Sequence, residues 1–221
     1  MAKNKVIGVE EAIAHIRPDS SIMVGGFGNA GDPNLLVNEL VRQKTEKLTI
    51  ISNDLGSPNV KLGQLLSNNQ VKGVKGTYYN WNPEVAEAFN AGKIDVQLIP
   101  QGTLAEAIRA AGFGIPAFYT VTGAGTDLAE GKETKEFDGV TCILERAVKA
   151  DVALLKAHIA DELGNLVYYK TARNFNPVMA MAADLVIVEV DKVVPAGELD
   201  PECVVTQHIF VDFIVERGEH S

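Results

Sequence analysis

The sequence predicts an α/β chain: an open, mainly parallel sheet with helices on both faces and an added antiparallel hairpin. Three observations predict it. Between residues 9 and 111, short apolar runs alternate with stretches whose apolar residues recur at helical spacing, the β-α-β-α order of a parallel sheet. Two later runs, Val152-Ala153-Leu154-Leu155 and Leu185-Val186-Ile187-Val188, are apolar without interruption, as strands buried on both faces are. The chain has 221 residues, 46% of them hydrophobic, enough for a substantial core in one domain spanning residues 1–221.

The elements follow in order. Val9, Ala12, Ile13 and Ile16 sit at helical spacing, and Pro18 ends that helix. Ser21-Ile22-Met23-Val24 reads as a buried strand, residues 34–42 as an amphipathic helix, and residues 47–51 as a second strand stopping at Ser52-Asn53-Asp54. A helix over residues 60–66, a strand over 71–77, a helix over 83–91 and a strand over 95–99 continue the alternation. A helix over residues 103–111 follows. Residues 113–131 are rich in Gly, Pro and Thr and read as a long loop, and loops of that length in a compact domain tend to be functional or disordered. Its aromatic residues Phe113, Phe118 and Tyr119 argue against disorder. Residues 134–137 and 140–144, joined by Asp138-Gly139, form the expected hairpin. A short helix over residues 177–183 separates the two late apolar strands.

Composition narrows the function classes. The formal net charge is −9, which argues against nucleic acid because phosphate binding needs a basic face. No apolar run nears the roughly 18 residues of a membrane helix. Met1-Ala2-Lys3-Asn4-Lys5 is followed by Gly8-Val9-Glu10-Glu11 rather than an apolar run, so no signal peptide is expected and the expected location is the cytoplasm. Cys142 and Cys203 lie far apart, which suggests neither a disulfide framework nor a metal-ligand spacing.

The most informative stretch is Ser21-Ile22-Met23-Val24-Gly25-Gly26-Phe27-Gly28-Asn29-Ala30-Gly31-Asp32-Pro33. Residues 26–31 match the dinucleotide fingerprint G-x-G-x-x-G, with Asp54 near where a ribose-binding acid belongs. In that fold the helix starts inside the fingerprint. Here Asp32 is placed as an N-cap and Pro33 as the first helical residue, beyond all the glycines. A start near Gly28 would put Pro33 in the helix interior, at a cost of about 3 kcal/mol. The stretch therefore reads as an extended glycine loop whose backbone N–H groups line a pocket. A nucleotide cradle and a plain tight turn stay open beside that reading.

These residues, together with five further segments in order, resemble the family I coenzyme A transferases. The segments are Ile50-Ile51-Ser52-Asn53-Asp54, Pro100-Gln101-Gly102-Thr103-Leu104-Ala105-Glu106, Gly114-Ile115-Pro116-Ala117-Phe118-Tyr119-Thr120, Thr122-Gly123-Ala124-Gly125-Thr126 and Ala172-Arg173-Asn174-Phe175-Asn176-Pro177. They are similar to the α subunit of bacterial acetate, butyrate or acetoacetate CoA-transferases and to the N-terminal half of fused succinyl-CoA:3-oxoacid enzymes. The resemblance implies a CoA-transferase-like fold and a double displacement. A glutamate attacks the acyl-CoA, CoA returns to form a glutamyl-CoA thioester, and an acceptor carboxylate takes over the CoA. It implies CoA as substrate with no metal or redox cofactor, and a β subunit that carries the glutamate in a Ser-Glu-Asn-Gly setting. This chain has no Ser-Glu-Asn-Gly, and Glu106 and Glu162 stand in other contexts, so no nucleophile is assigned to it. The rival functions are a non-catalytic sensing module and a nucleotide-binding subunit of a dehydrogenase.

Attack on a thioester puts negative charge on the carbonyl oxygen, which preorganised donors must meet. The backbone N–H groups of Gly26, Phe27 and Gly28 suit this, with Gly25 and Gly31 completing the loop. Phe27 either packs on the acyl chain or anchors the loop. Gln101 follows a strand at its carboxyl end, where open parallel sheets collect ligands, and its neutral amide can donate to the carbonyl oxygen or hold the partner's glutamate. Asn53 also ends a strand, and either orients substrate or makes an Asx-turn. Gly123 brings backbone near substrate or merely turns a loop. His158 reads as a satisfied, partly buried histidine. Arg173 and Asn174 serve a subunit contact or a substrate carboxylate, and Tyr78-Tyr79-Asn80-Trp81-Asn82-Pro83 departs from the Gly-x-Asn-Pro pattern of the α subunit, leaving acyl specificity open.

Overall fold

Ile22, Met23 and Val24 are all buried, and alternate side chains of this strand enter different cores. Ile22 and Val24 join one apolar cluster with Leu48, Ile50, Val152 and Leu154, while Met23 joins a second with Ile51, Ala153 and Leu155. A sheet with apolar side chains on both faces must be covered on both. That is why the sequence shows uninterrupted apolar strands and amphipathic helices.

The computed structural model describes residues 4–218. The first part runs α1 (Val9–Ile13), β1 (Ser21–Val24), α2 (Asn34–Gln43), β2 (Leu48–Ile51), α3 (Gly63–Ser67), β3 (Val71–Gly76), α4 (Pro83–Asn90), β4 (Asp95–Leu98) and α5 (Gln101–Gly112). An excursion follows through β5 (Ala117–Thr120), β6 (Thr134–Phe137) and β7 (Val140–Arg146). The chain then returns through β8 (Ala150–Lys156), β9 (Ile159–Asp161), β10 (Leu166–Val167), α6 (Asn176–Ala180), β11 (Ala183–Val190), β12 (Lys192–Val194) and β13 (Phe213–Glu216).

Seven strands form one sheet in the order β13-β11-β8-β1-β2-β3-β4, and every pairing in it is parallel. Helices α1 to α4 contribute Ile13, Leu36, Leu40, Leu65 and Val85 to one core. Helices α5 and α6 contribute Leu104, Ile108, Met179 and Ala180 to the other. Strand β1 lies between β2 and β8, so the chain winds outward from β1 on one side and returns beside it on the other. Ligands in open α/β sheets collect at the carboxyl ends of the strands beside such a reversal.

Three sequence expectations need correction. The stretch read as a loop over residues 113–131 contains β5, which pairs antiparallel with β7 and makes the hairpin a three-stranded sheet. Helix α2 begins at Asn34, and Asp32 does not cap it. Its amide at Leu35 is instead satisfied by Glu189 Oε2 at 2.7 Å, from the end of β11. Gln101 is the first residue of α5, two positions before the helix expected from Thr103. A second small sheet of β10, β9 and β12 had no counterpart in the sequence pattern.

Candidate active site

The glycine loop leaves β1 still paired, with Gly25 N–H donating to Leu154 O at 3.0 Å. Gly25 is glycine because a Cβ there would run into Asn176 Oδ1. Gly26 has φ +116°, a backbone region that side chains rarely enter, and a Cβ there would strike the Asp32 carboxylate. Phe27 and Ala30 then close a tight turn through reciprocal backbone hydrogen bonds of 3.0 and 3.1 Å. Phe27 stands at the tip with its side chain exposed.

Asn176, wholly buried, clamps this loop from below. Its Oδ1 accepts from Lys156 N–H at 2.9 Å, and its Nδ2 donates to Gly31 O and Ala172 O, each at 3.0 Å. Asn174 adds a bond from Nδ2 to Ala30 O at 2.8 Å. The polar patch before Pro177 thus holds the glycine loop through these two asparagines.

Asp54, just past β2, fixes the loop from the other side. Its carboxylate accepts from Gly28 N–H at 3.3 Å, Gly56 N–H at 2.9 Å and Asn53 Nδ2 at 2.9 Å. Asn53 Oδ1 in turn accepts from Gln101 Nε2 at 2.6 Å and Thr77 Oγ1 at 3.0 Å. One hydrogen-bonded chain therefore runs from the glycine loop through Asp54 and Asn53 to the first residue of α5. Asn53 acts in it by positioning Gln101. An amide nitrogen carries two N–H groups, so Gln101 Nε2 keeps a second beyond its bond to Asn53. Among Gly26, Phe27 and Gly28, the Phe27 and Gly28 amides are engaged by Ala30 O and Asp54, and Gly26 N–H has no acceptor among the described residues.

Phe27, Gly28, Asn53 and Gln101 line one cavity of about 340 Å³, together with Asp54, Thr77, Tyr78 and Trp81. It opens at the carboxyl ends of β1, β2 and β3. Tyr78 and Trp81 meet edge to face with ring centroids 5.2 Å apart. A narrower pocket of about 30 Å³ adjoins it behind the loop and holds Gly25, Gly26, Asp32 and Lys61. Lys61 Nζ is bonded to Asp32 Oδ2 at 2.6 Å and Asn29 Oδ1 at 3.1 Å. Burial pushes the Asp32 carboxyl above the usual range, and the Lys61 ammonium opposes that shift.

Other predicted residues lie elsewhere. Gly31 sits under the loop against Ala172 and Asn176, facing a different recess. Gly123, with φ +87°, turns the chain after β5 against Ile143 and Leu128, and does not line the cavity. His158 pairs with Asp191 at 2.9 Å. Glu106 pairs with Arg109 on the exposed side of α5. Among the described residues no cluster of three His, Cys, Asp or Glu side chains has a metal-holding arrangement, and no helix is long and apolar enough to cross a membrane.

Sequence reasoning weighed Asp54 only as a ribose-binding acid, left the role of the stretch from Tyr78 to Pro83 open, and missed Thr77 and Asn176 as parts of the site. The adjacency of Asn53 and Asp54 at a strand end was the available signal for Asp54. Asn176 stood inside the Ala172–Pro177 segment that carries the family resemblance, but its bond to the loop, across 145 positions of sequence, was not visible there. The dinucleotide reading fails on geometry: α2 starts three residues beyond Gly31, so the glycines do not open the helix.

The family model "Coenzyme A transferase" matches residues 6–217. The chain is 47% identical over 206 residues to the A subunit of a probable succinyl-CoA:3-ketoacid coenzyme A transferase of Bacillus subtilis (strain 168), covering 93% of this chain and 87% of that one. It is 43% identical over 217 residues to the alpha subunit of the acetate CoA-transferase of Escherichia coli (strain K12), covering 98% and 99%. It is 48% identical over 209 residues to the A subunit of a 3-oxoadipate CoA-transferase of Pseudomonas putida, covering 94% and 90%. In fold it is similar to an acyl-CoA transferase apoenzyme from Escherichia coli O157:H7, at a TM-score of 0.90 and 22% identity over 99% of this chain. This chain spans 48% of that one, about half its length. On its sequence and its fold alike, the chain belongs to the coenzyme A transferase family.

Proposed function

We propose that this chain is one half of a two-subunit enzyme that moves CoA between a short-chain acyl-CoA and a carboxylic acid. A partner B subunit supplies the attacking glutamate. One observation carries the reading: the cavity at the carboxyl ends of β1 to β3 offers a free amide N–H of Gln101, while the one carboxylate among the described residues lining it, Asp54, is held by three donors. A carboxylate whose lone pairs are so engaged is a poor nucleophile. The site is built to receive developing negative charge and lacks the group that creates it.

In the proposed sequence, the partner's carboxylate adds to the thioester carbonyl and the C–S bond breaks, giving an acyl anhydride and CoA thiolate. The thiolate then attacks the glutamyl carbonyl and releases the first acid. The second acid attacks the resulting thioester, and the same steps run in reverse. At each addition the oxyanion is met by the second N–H of Gln101 Nε2. The chemistry draws on no metal or redox cofactor, and CoA is a substrate.

The test is reconstitution. The chain and a B subunit carrying Ser-Glu-Asn-Gly are purified apart and assayed, singly and mixed, for loss of acetoacetyl-CoA with acetate as acceptor. Neither alone should turn over, and the mixture should. Turnover by this chain alone would refute the two-subunit reading. No transfer by the mixture to acetate, butyrate or succinate would refute the activity.

A further inference from the structure

We infer that the acid exchanged at this site ends in an uncharged group, so that the cavity selects monocarboxylates over dicarboxylates, with Tyr78 and Trp81 setting that choice. The inference rests on the transferase reading above and names its substrate class.

Three observations carry it. The first is the wall. Phe27, Tyr78 and Trp81 line the same cavity and are 48%, 40% and 59% exposed, although large aromatic side chains are normally placed against something apolar. The second is charge. Among the described residues no Lys, Arg or His lines the cavity, and its carboxylate, Asp54, carries the same sign as the bound acid. A second carboxylate on the bound acid would lie beside the apolar bodies of these rings, with no cation of this chain lining the cavity to pair it. The third concerns the cation of the adjoining pocket, Lys61. It is already bonded to Asp32 and Asn29 and lines the adjoining pocket rather than this cavity. The other polar groups of the wall, those of Asn53, Thr77, Tyr78, Trp81 and Gln101, are all neutral, so they suit a reacting carbonyl at one end of the acid and pair no full charge at the other.

Butyrate and succinate make the matched pair. Both have four carbons, and they differ in whether the distal carbon is a methyl or a carboxylate. With the assembled two-subunit enzyme and acetoacetyl-CoA as donor, kcat/KM for butyrate should exceed that for succinate by about tenfold or more, the scale at which an unpaired charge is discriminated. Trp81→Arg, which places a cation in the wall, should shift that ratio toward succinate by about tenfold.

A second readout does not need turnover. Trp81 is the chain's only tryptophan. The emission difference between wild-type and Trp81→Phe complexes should change on adding butyryl-CoA and not on adding succinyl-CoA. Succinate matching butyrate in the wild type, or a ratio that Trp81→Arg leaves unmoved, overturns the inference while CoA transfer stands. An emission difference indifferent to butyryl-CoA also overturns it, and means that the partner subunit covers the aromatic wall. If no acid accepts CoA, the transferase reading falls, and the emission titration alone decides the acid class.

Discussion

Replacing Asn176 by alanine should loosen the glycine loop and the sheet together. The substitution deletes the acceptor of Lys156 N–H and the donor to Gly31 O and Ala172 O, all around a side chain with 0% exposure. A buried backbone group left without a partner costs about 1–3 kcal/mol. Gly31 and Ala172 face a recess of about 390 Å³, so water can reach their carbonyls and the low end applies to both. The orphaned Lys156 N–H, inside the β8 end of the sheet, takes the upper part of the range. The sum is about 4–5 kcal/mol. For a chain of this length each kcal/mol moves Tm by about 2–4 °C, so a fall of about 8–20 °C is expected. Thermal melts of the purified chain by circular dichroism measure it. Asn176→Asp keeps the acceptor but sets a carboxylate against the Gly31 and Ala172 carbonyl oxygens, so at neutral pH it should be no more stable than Asn176→Ala. Asn176→Ala within about 1 kcal/mol of wild type would mean that the loop holds its shape without the clamp, and the account of Gly25 given above would fail with it.

Gln101→Ala in the assembled enzyme should lower kcat by about a hundredfold, the scale for removing one oxyanion donor, while association of the two subunits, measured by sedimentation, stays unchanged. Unaltered kinetics would remove Gln101 from the site. Glu189 gives a pH prediction. Burial raises its pKa above the ordinary 4.5, against opposing contributions from Lys156, Leu35 N–H, Arg217 and Leu36 N–H. The folded chain then holds this proton more tightly than the unfolded chain does. Its stabilising contribution is fully present below the ordinary value and is lost as pH rises through the folded one. Wild-type stability relative to Glu189→Gln, from urea titrations, should therefore decline as pH is raised from about 4 toward neutrality. A difference flat across that range would show that the buried carboxyl titrates normally.

The large sheet was legible because its strands are buried on both faces. Ile22-Met23-Val24 and Val152-Ala153-Leu154-Leu155 have few alternatives when each residue fits one core or the other. β5 was not legible. Ala117-Phe118-Tyr119-Thr120 is short, half-buried and flanked by Pro116 and the Gly123-Ala124-Gly125 turn, and its partner β7 lies beyond an intervening strand. The same limit governs the site. Phe27, Gly28, Asn53 and Gln101 each stand where a strand ends, which sequence reveals. The bonds that give them their roles, Asn53 to Gln101 and Asp54 to Gly28, span 48 and 26 positions. Asp32-Pro33 misled for a related reason: the pair has the local form of a helix start, but Lys61 claims the carboxylate and Glu189 supplies the cap.

That remote cap bears on how the molecule is made. The amide at Leu35 waits for a carboxylate encoded 154 residues later. β1 likewise gains its second neighbour only when β8 has left the ribosome. A nascent chain can therefore lay down the β1 to β4 half early, yet the segment around Phe27 cannot take its working shape until synthesis is nearly finished. Fragments cut anywhere before β11 should carry an unfinished glycine loop, however well their helices form.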